Sequence, residues 1–260
     1  EHTALARTLA AEATVLLKNE GAVLPIVPES DFPPNVSRRG ILVVGDADTF
    51  TGTGSGRVIP EHYVTPTEGI RNAIKDMGLS DTVPVTYLPA GISGRANFDD
   101  IERAAAIQAA KEAGLVVVVV ATSSGEGHDR PTLSLGALQD SLVTDMLKAA
   151  GSGSESAKVC VSVNAPGAVL LPWASQVPAL LLQWLPGQEW GNALADVLFG
   201  KVNPSARLHV TMPNKDNEVA FTSKQFPGIP NLGQEFPTAD YSENLFIGYR
   251  YYEAMEISPV

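Results

Sequence analysis

The run Leu115-Val116-Val117-Val118-Val119-Val120-Ala121 constrains the fold of this chain more tightly than any other segment. Its β-branched residues favour an extended strand, and without polar alternation both faces of that strand need covering. Strands buried on both sides occur in parallel sheets with helices packed above and below. Immediately afterwards comes Ser123-Ser124-Gly125-Glu126-Gly127-His128-Asp129-Arg130. Open α/β sheets bind ligands just beyond the carboxyl ends of their strands. A carboxylic acid held there between two glycines can meet a substrate, because the glycines let the backbone come close. Glu126 is the first candidate for chemistry.

Other strand-like runs recur at residues 41–44, 83–88, 159–163 and 179–183. Helical spacing is expected over residues 3–18, 67–77, 99–113, 135–150 and 188–199, the last closed by Gly200 as a C-cap. Strands alternating with helices predict an α/β chain, a three-layer α/β/α sandwich with a mostly parallel sheet of about six strands. This sandwich is assigned to residues 1–212. Residues 213–244 carry Pro, Gly and Asn without apolar period, so residues 213–260 are expected to form an irregular C-terminal arm of the same domain. A short Gly/Ser-rich linker, residues 151–156, is the only low-complexity patch, and no internal repeat is visible.

Composition excludes several classes of partner. The formal net charge of −11 argues against a nucleic-acid groove or an anionic membrane surface, both of which need clustered Lys and Arg. No apolar stretch approaches the length of a membrane span. Cys160, the single cysteine, cannot form an internal disulfide and reads as a small core residue of a strand. The chain opens on Glu1 without a signal-like segment and stops after an aromatic-rich stretch, which suggests a piece of something longer.

A second loop, Thr51-Gly52-Thr53-Gly54-Ser55-Gly56-Arg57, follows the run at 41–44 as the Glu126 loop follows residue 121. If the two strands are parallel, both loops open at one edge of the sheet, and Ser55 and Arg57 face the same ligand as Glu126. A phosphate cradle is the competing idea, but the spacing is G-x-G-x-G and no Lys-Ser/Thr pair follows. A glycine turn without function is the plainer alternative. For Glu126 that alternative is a loop glutamate paired with Arg130. Asp129 and Arg130 are read as a pair that fixes the loop. No metal-ligand spacing and no G-x-S-x-G elbow is present, so neither a metal nor a Ser-His-Asp triad is expected. Trp184 and Trp190 either stack on a sugar or pack helix on sheet. Tyr249, Tyr251 and Tyr252 around Arg250 make a sugar platform or a docking surface for a further domain.

Five segments in order resemble the second, α/β-sandwich domain of glycoside hydrolase family 3, the family of many β-glucosidases. They are AEATVLLKNE at 11–20, GTGSGR at 52–57, SGEGHDR at 124–130, LPGQEWGNALADVLFGKVNPSARL at 185–208 and YSENLFIGYRYYE at 241–253. The resemblance implies a retaining hydrolysis shared between two domains, with an Asp nucleophile on a preceding barrel that this chain lacks. It implies that Glu126 is the general acid/base and that Ser55, with Arg57 as a looser match, contacts the non-reducing-end sugar. The implied substrate is a terminal β-D-glucosyl residue of a β-glucoside or oligosaccharide. A β-xylosidase, another exo-β-glycosidase or a non-catalytic carbohydrate-binding or interaction module are the alternatives. No cofactor is implied, and the partner is the barrel domain. The chain departs from the family at Ala206 and His209, where Gly and Pro are usual, and at Trp190, where a small residue is usual. The sequon Asn35-Val36-Ser37 tilts the compartment slightly toward a secreted or periplasmic one.

Overall fold

The computed structural model describes residues 1–33, 35, 38, 40–46, 48–92, 94, 96–151, 156–233 and 236–260, with side chains of the helix at 96 described from Asp99 onward. The sequon and the Gly/Ser-rich linker therefore fall largely outside the described residues.

Six strands form one sheet: β1 (Val15–Asn19), β2 (Ile41–Gly45), β3 (Val85–Leu88), β4 (Leu115–Ala121), β5 (Lys158–Asn164) and β6 (Ala179–Leu182), in the order β1-β6-β5-β4-β2-β3. All neighbours run parallel except β1, which is antiparallel to β6. Strand β4 lies at the centre, and its side chains divide between two cores as the period of two demands. Val116, Val118 and Val120 join one core, while Leu115, Val117 and Val119 join the other. Helices α4 (Ala96–Glu112) and α5 (Ala137–Ala150) cover the first face with Ala106, Ala110, Leu142, Val143 and Met146. Helices α1 (His2–Glu12), α3 (Pro66–Asp76) and α6 (Trp190–Leu198) cover the second with Ala10, Ala11, Ile70, Ile74, Leu194 and Val197. The result is the expected three-layer sandwich. Short helices α2 (Pro28–Asp31) and α7 (Tyr249–Ala254) lie outside these layers.

Helix α3 starts where Thr65-Pro66-Thr67-Glu68 supplies a capping box, with Thr65 and Glu68 satisfying each other's backbone N–H groups. It crosses α6 in backbone contact, since a Cβ on Gly69 would overlap the Gly191 carbonyl and one on Gly191 would overlap that of Thr65. The N-terminal helix is fastened to the sandwich by Asp196 of α6, whose carboxylate accepts two bonds from Arg7 of α1 at 2.5 and 2.6 Å.

One expected helix is corrected. Residues 3–18 divide into α1 and β1, because α1 stops at Glu12 and Thr14 turns its hydroxyl back onto the Ala10 carbonyl. Val15 to Asn19 then pair with β6, across an irregularity between Leu16 and Lys18. The apolar residues at 15–17 fit either state, and the open edge of β6 decides between them. Cys160 is fully buried, and burial pushes its thiol up to about 12. That is a core residue, not a reactive thiol. In the arm, Ile229 and Thr238 form an isolated antiparallel bridge, and Val260 returns its N–H to the Met212 carbonyl. No described helix is long and apolar enough to cross a membrane.

Candidate active site

Strands β2 and β4 are parallel neighbours, so the loops that follow them leave the sheet at the same edge. The loops also touch. Thr53 and Gly125 form a parallel bridge, with the Thr53 N–H and hydroxyl both 3.3 Å from the Ser124 carbonyl oxygen. One residue pair further out, the Ser55 hydroxyl donates to Oε2 of Glu126, and the Ser55 N–H donates to the same oxygen at 3.2 Å. Glycines make this closeness possible. A Cβ on Gly54, whose φ is +64°, would sit 2.7 Å from the Glu126 Cβ, and a Cβ on Gly125 would overlap the Thr53 hydroxyl. The GTGSG spacing thus serves loop-to-loop packing, which neither the phosphate-cradle nor the idle-turn reading anticipates.

Glu126 sits at the tip of a tight hairpin, Gly125 to His128, closed by the His128 N–H on the Gly125 carbonyl at 3.0 Å. The side chain is exposed. Its two bonds from Ser55 hold the carboxyl below its ordinary range, with desolvation opposing weakly. As it stands Glu126 is an ionised acceptor at neutral pH. A general acid needs the opposite shift, from burial or a second negative charge nearby. Arg57 lies on the same loop as Ser55, exposed to solvent.

Asp129 and Arg130 do not pair, which corrects the expectation for them. Arg130 turns away from both Asp129 and Glu126 and donates through Nη2 to the Ala168 carbonyl at 2.8 Å. Support for the hairpin comes from elsewhere. Gln139 of α5 clamps its root, accepting from the Ala121 N–H at 2.7 Å and donating to the Ala121 carbonyl at 2.8 Å. Asp216 of the arm accepts from the Thr132 hydroxyl and from the Leu133 N–H at 2.8 Å. These bonds hold the Asp216 carboxyl below its usual range. Glu218 is lowered likewise by the Tyr252 hydroxyl and the Asn214 N–H. The arm therefore clasps the far end of the Glu126 loop, and a cavity of about 780 Å³ opens between them, lined by Ser124, His128, Arg130, Phe221 and Tyr252 among others. Asp216 and Glu218 carried no local signal in the sequence, lying more than eighty residues from the loop that Asp216 touches.

The aromatic candidates separate. Trp190 is fully buried and donates through Nε1 to Gln183 at 3.0 Å, so it packs helix on sheet. Trp184 is half-buried, with its ring 4.3 Å from that of His209. Tyr252 is buried against Glu218, while Tyr249 is 64% exposed beneath the Arg250 guanidinium. No group of three or more His, Cys, Asp and Glu side chains is arranged for a metal ion among the described residues.

The comparisons with known proteins agree with one another. The profile described as "Glycosyl hydrolase family 3 C-terminal domain" matches residues 14–249. A thermostable β-glucosidase B from Acetivibrio thermocellus is 33% identical over 262 residues, covering 100% of this chain and 32% of that protein. An exo-α-(1→6)-L-arabinopyranosidase from Bifidobacterium breve is 29% identical over 258 residues, covering 97% of this chain and 31% of that protein. Among solved structures, a family 3 β-glucosidase of Bifidobacterium adolescentis superposes with a TM-score of 0.74 at 30% identity, over 99% of this chain and 35% of that one. The β-glucosidase DesR of Streptomyces venezuelae, solved with D-glucose, reaches 0.80 at 23% identity over 99% and 44%, a likeness of fold. The chain spans about a third of the length of the curated relatives it matches. A parallel sandwich with two glycine-rich loops joined at one edge, matched by the family profile over most of its length, makes this chain a member of glycoside hydrolase family 3, as its C-terminal domain.

Proposed function

We propose that this domain supplies the acid/base carboxylate, Glu126, to a retaining exo-β-glycosidase that removes terminal β-D-glucosyl residues. The nucleophilic aspartate belongs to an N-terminal domain, and Ser55 and Arg57 contact the non-reducing-end sugar. The observation that carries the reading is the contact between Glu126 and Ser55, two residues that the family resemblance assigns to one sugar site. In the first half-reaction the aspartate attacks the anomeric carbon as the C–O bond to the leaving group breaks, and Glu126 gives its proton to that oxygen. In the second, Glu126 takes a proton from water, whose oxygen displaces the aspartate and restores the acid. Glu126 is ionised in the present arrangement, so protonation depends on the second carboxylate, whose charge opposes a neighbouring anion. The Bifidobacterium relative favours a second reading, a different terminal sugar with the same acid/base step.

The test is Glu126→Gly in the protein carrying both domains. Hydrolysis should collapse for glycosides with poor leaving groups and fall much less for activated aryl glycosides, because only the former need the proton. Azide should partly restore turnover of the glycosyl-enzyme and yield a β-glycosyl azide. Equal losses on both substrates with no rescue would remove Glu126 from the role.

A further inference from the structure

Ser55 is asked to serve two clients. A serine hydroxyl carries one proton and can donate only one hydrogen bond at a time. That proton is given to Oε2 of Glu126, with the Ser55 N–H on the same oxygen at 3.2 Å. Both side chains are exposed, so an arriving hydroxyl can reach the serine. The bond is also the outermost rung of a ladder that the glycines permit, above the Thr53–Gly125 bridge. The titratable groups flanking it on the two loops are Arg57, His128, Asp129 and Arg130. None of them bonds to the carboxylate: His128 approaches only the Glu126 backbone carbonyl, at 3.4 Å, and Arg130 bonds through Nη2 to the Ala168 carbonyl instead, its Nη1 buried without a partner among the described residues. Ser55 is thus the sole polar partner of this carboxylate among the described residues.

We propose that Ser55 is a positioning residue that parks the Glu126 carboxylate on the 51–57 loop while the site is empty and releases it when a sugar hydroxyl accepts the serine proton. This rests on the reading of Glu126 as the acid/base. The exchange breaks one O–H···O bond and forms another, with no covalent change. Once the hydroxyl is withdrawn, Glu126 keeps only the Ser55 N–H as a donor, its proton affinity rises, and the charge of the second carboxylate then favours its protonation. Occupancy of the sugar site and readiness of the acid are thereby coupled through one hydroxyl. A sugar hydroxyl that instead donated to the serine would leave the parked state intact, so the coupling also selects the sugar's orientation.

The experiment is a comparison of pH profiles in the two-domain protein, using a β-glucoside with a poor leaving group so that the acid-dependent step limits the rate. The profile of kcat/KM reports the free enzyme and that of kcat the complex. In the parent protein the alkaline limb of kcat/KM should lie at lower pH than that of kcat. In Ser55→Ala the kcat/KM limb should move to higher pH, toward a kcat limb that stays in place, and Ser55→Thr should restore the parent profile. A Ser55→Ala protein with raised KM but an unmoved kcat/KM limb would overturn the proposal and leave Ser55 as a sugar contact alone. Failure of the parent reading looks different: Glu126→Gly would then keep the same alkaline limb and show no azide rescue.

Discussion

Replacing Gly54 by alanine should disable the site while leaving the fold almost untouched. The new Cβ would lie 2.7 Å from the Glu126 Cβ and 3.0 Å from the Glu126 nitrogen. Carbon atoms rest at about 3.5–4.0 Å, so the two loops must part by roughly 1 Å. Both loops are exposed, and parting costs them less than compression would. The alanine also inherits a φ of +64°, which costs about 1 kcal/mol for a residue with a Cβ. For a chain of this length that corresponds to a fall in Tm of about 2–4 °C. Activity should suffer far more, since a misplacement of about 1 Å at a catalytic group costs on the order of 100-fold. The assay pairs an aryl β-glucoside having a good leaving group with an alkyl β-glucoside having a poor one, in the two-domain protein, beside a thermal melt. The loss should concentrate on the alkyl glucoside, where the displaced acid is needed. Parent rates on both substrates, at a Tm lowered by the expected amount, would show that the loop contact is irrelevant to chemistry.

The 260-residue chain expressed alone should fold, given two cores around a six-stranded sheet, yet show essentially no turnover of an aryl β-glucoside until the barrel domain is added in trans; robust turnover by the chain alone would demand a second carboxylate within these residues. Asp196→Ala should destabilise the domain by about 2 kcal/mol, discounted from a fully buried pair because the Arg7 side chain keeps 32% of its exposure, and lower the Tm by about 4–8 °C. A melt unchanged within error would mean that the α1–α6 ion pair contributes nothing.

Much of this molecule could be read from local pattern. The β-branched run at 115–121 had to be a central strand, because nothing else covers both faces of so apolar a segment. The glycine-flanked Glu126 and the GTGSGR loop each followed such a strand, so their meeting at one edge was an expectation of topology. Residues 15–17 misled for the opposite reason. Apolar residues there satisfy a helical stripe and a strand equally, and only the unpaired edge of β6 resolves them.

What the sequence determined by itself was therefore the layering of the sandwich and the edge at which its carboxylate stands, since both follow from periodicity and chain direction. Tertiary structure alone decided which groups meet there. Arg130 sits four residues from Glu126 yet bonds through Nη2 to the carbonyl of Ala168, a residue that its loop meets only in the folded chain. Ser55, seventy-one residues away in the chain, is the residue that reaches the carboxylate, and Asp216 comes from the arm to hold the loop's far end. Hydrogen bonds depend on distance in space, and three glycine-rich or irregular segments with no period of their own acquire that proximity only when the sheet places their ends together.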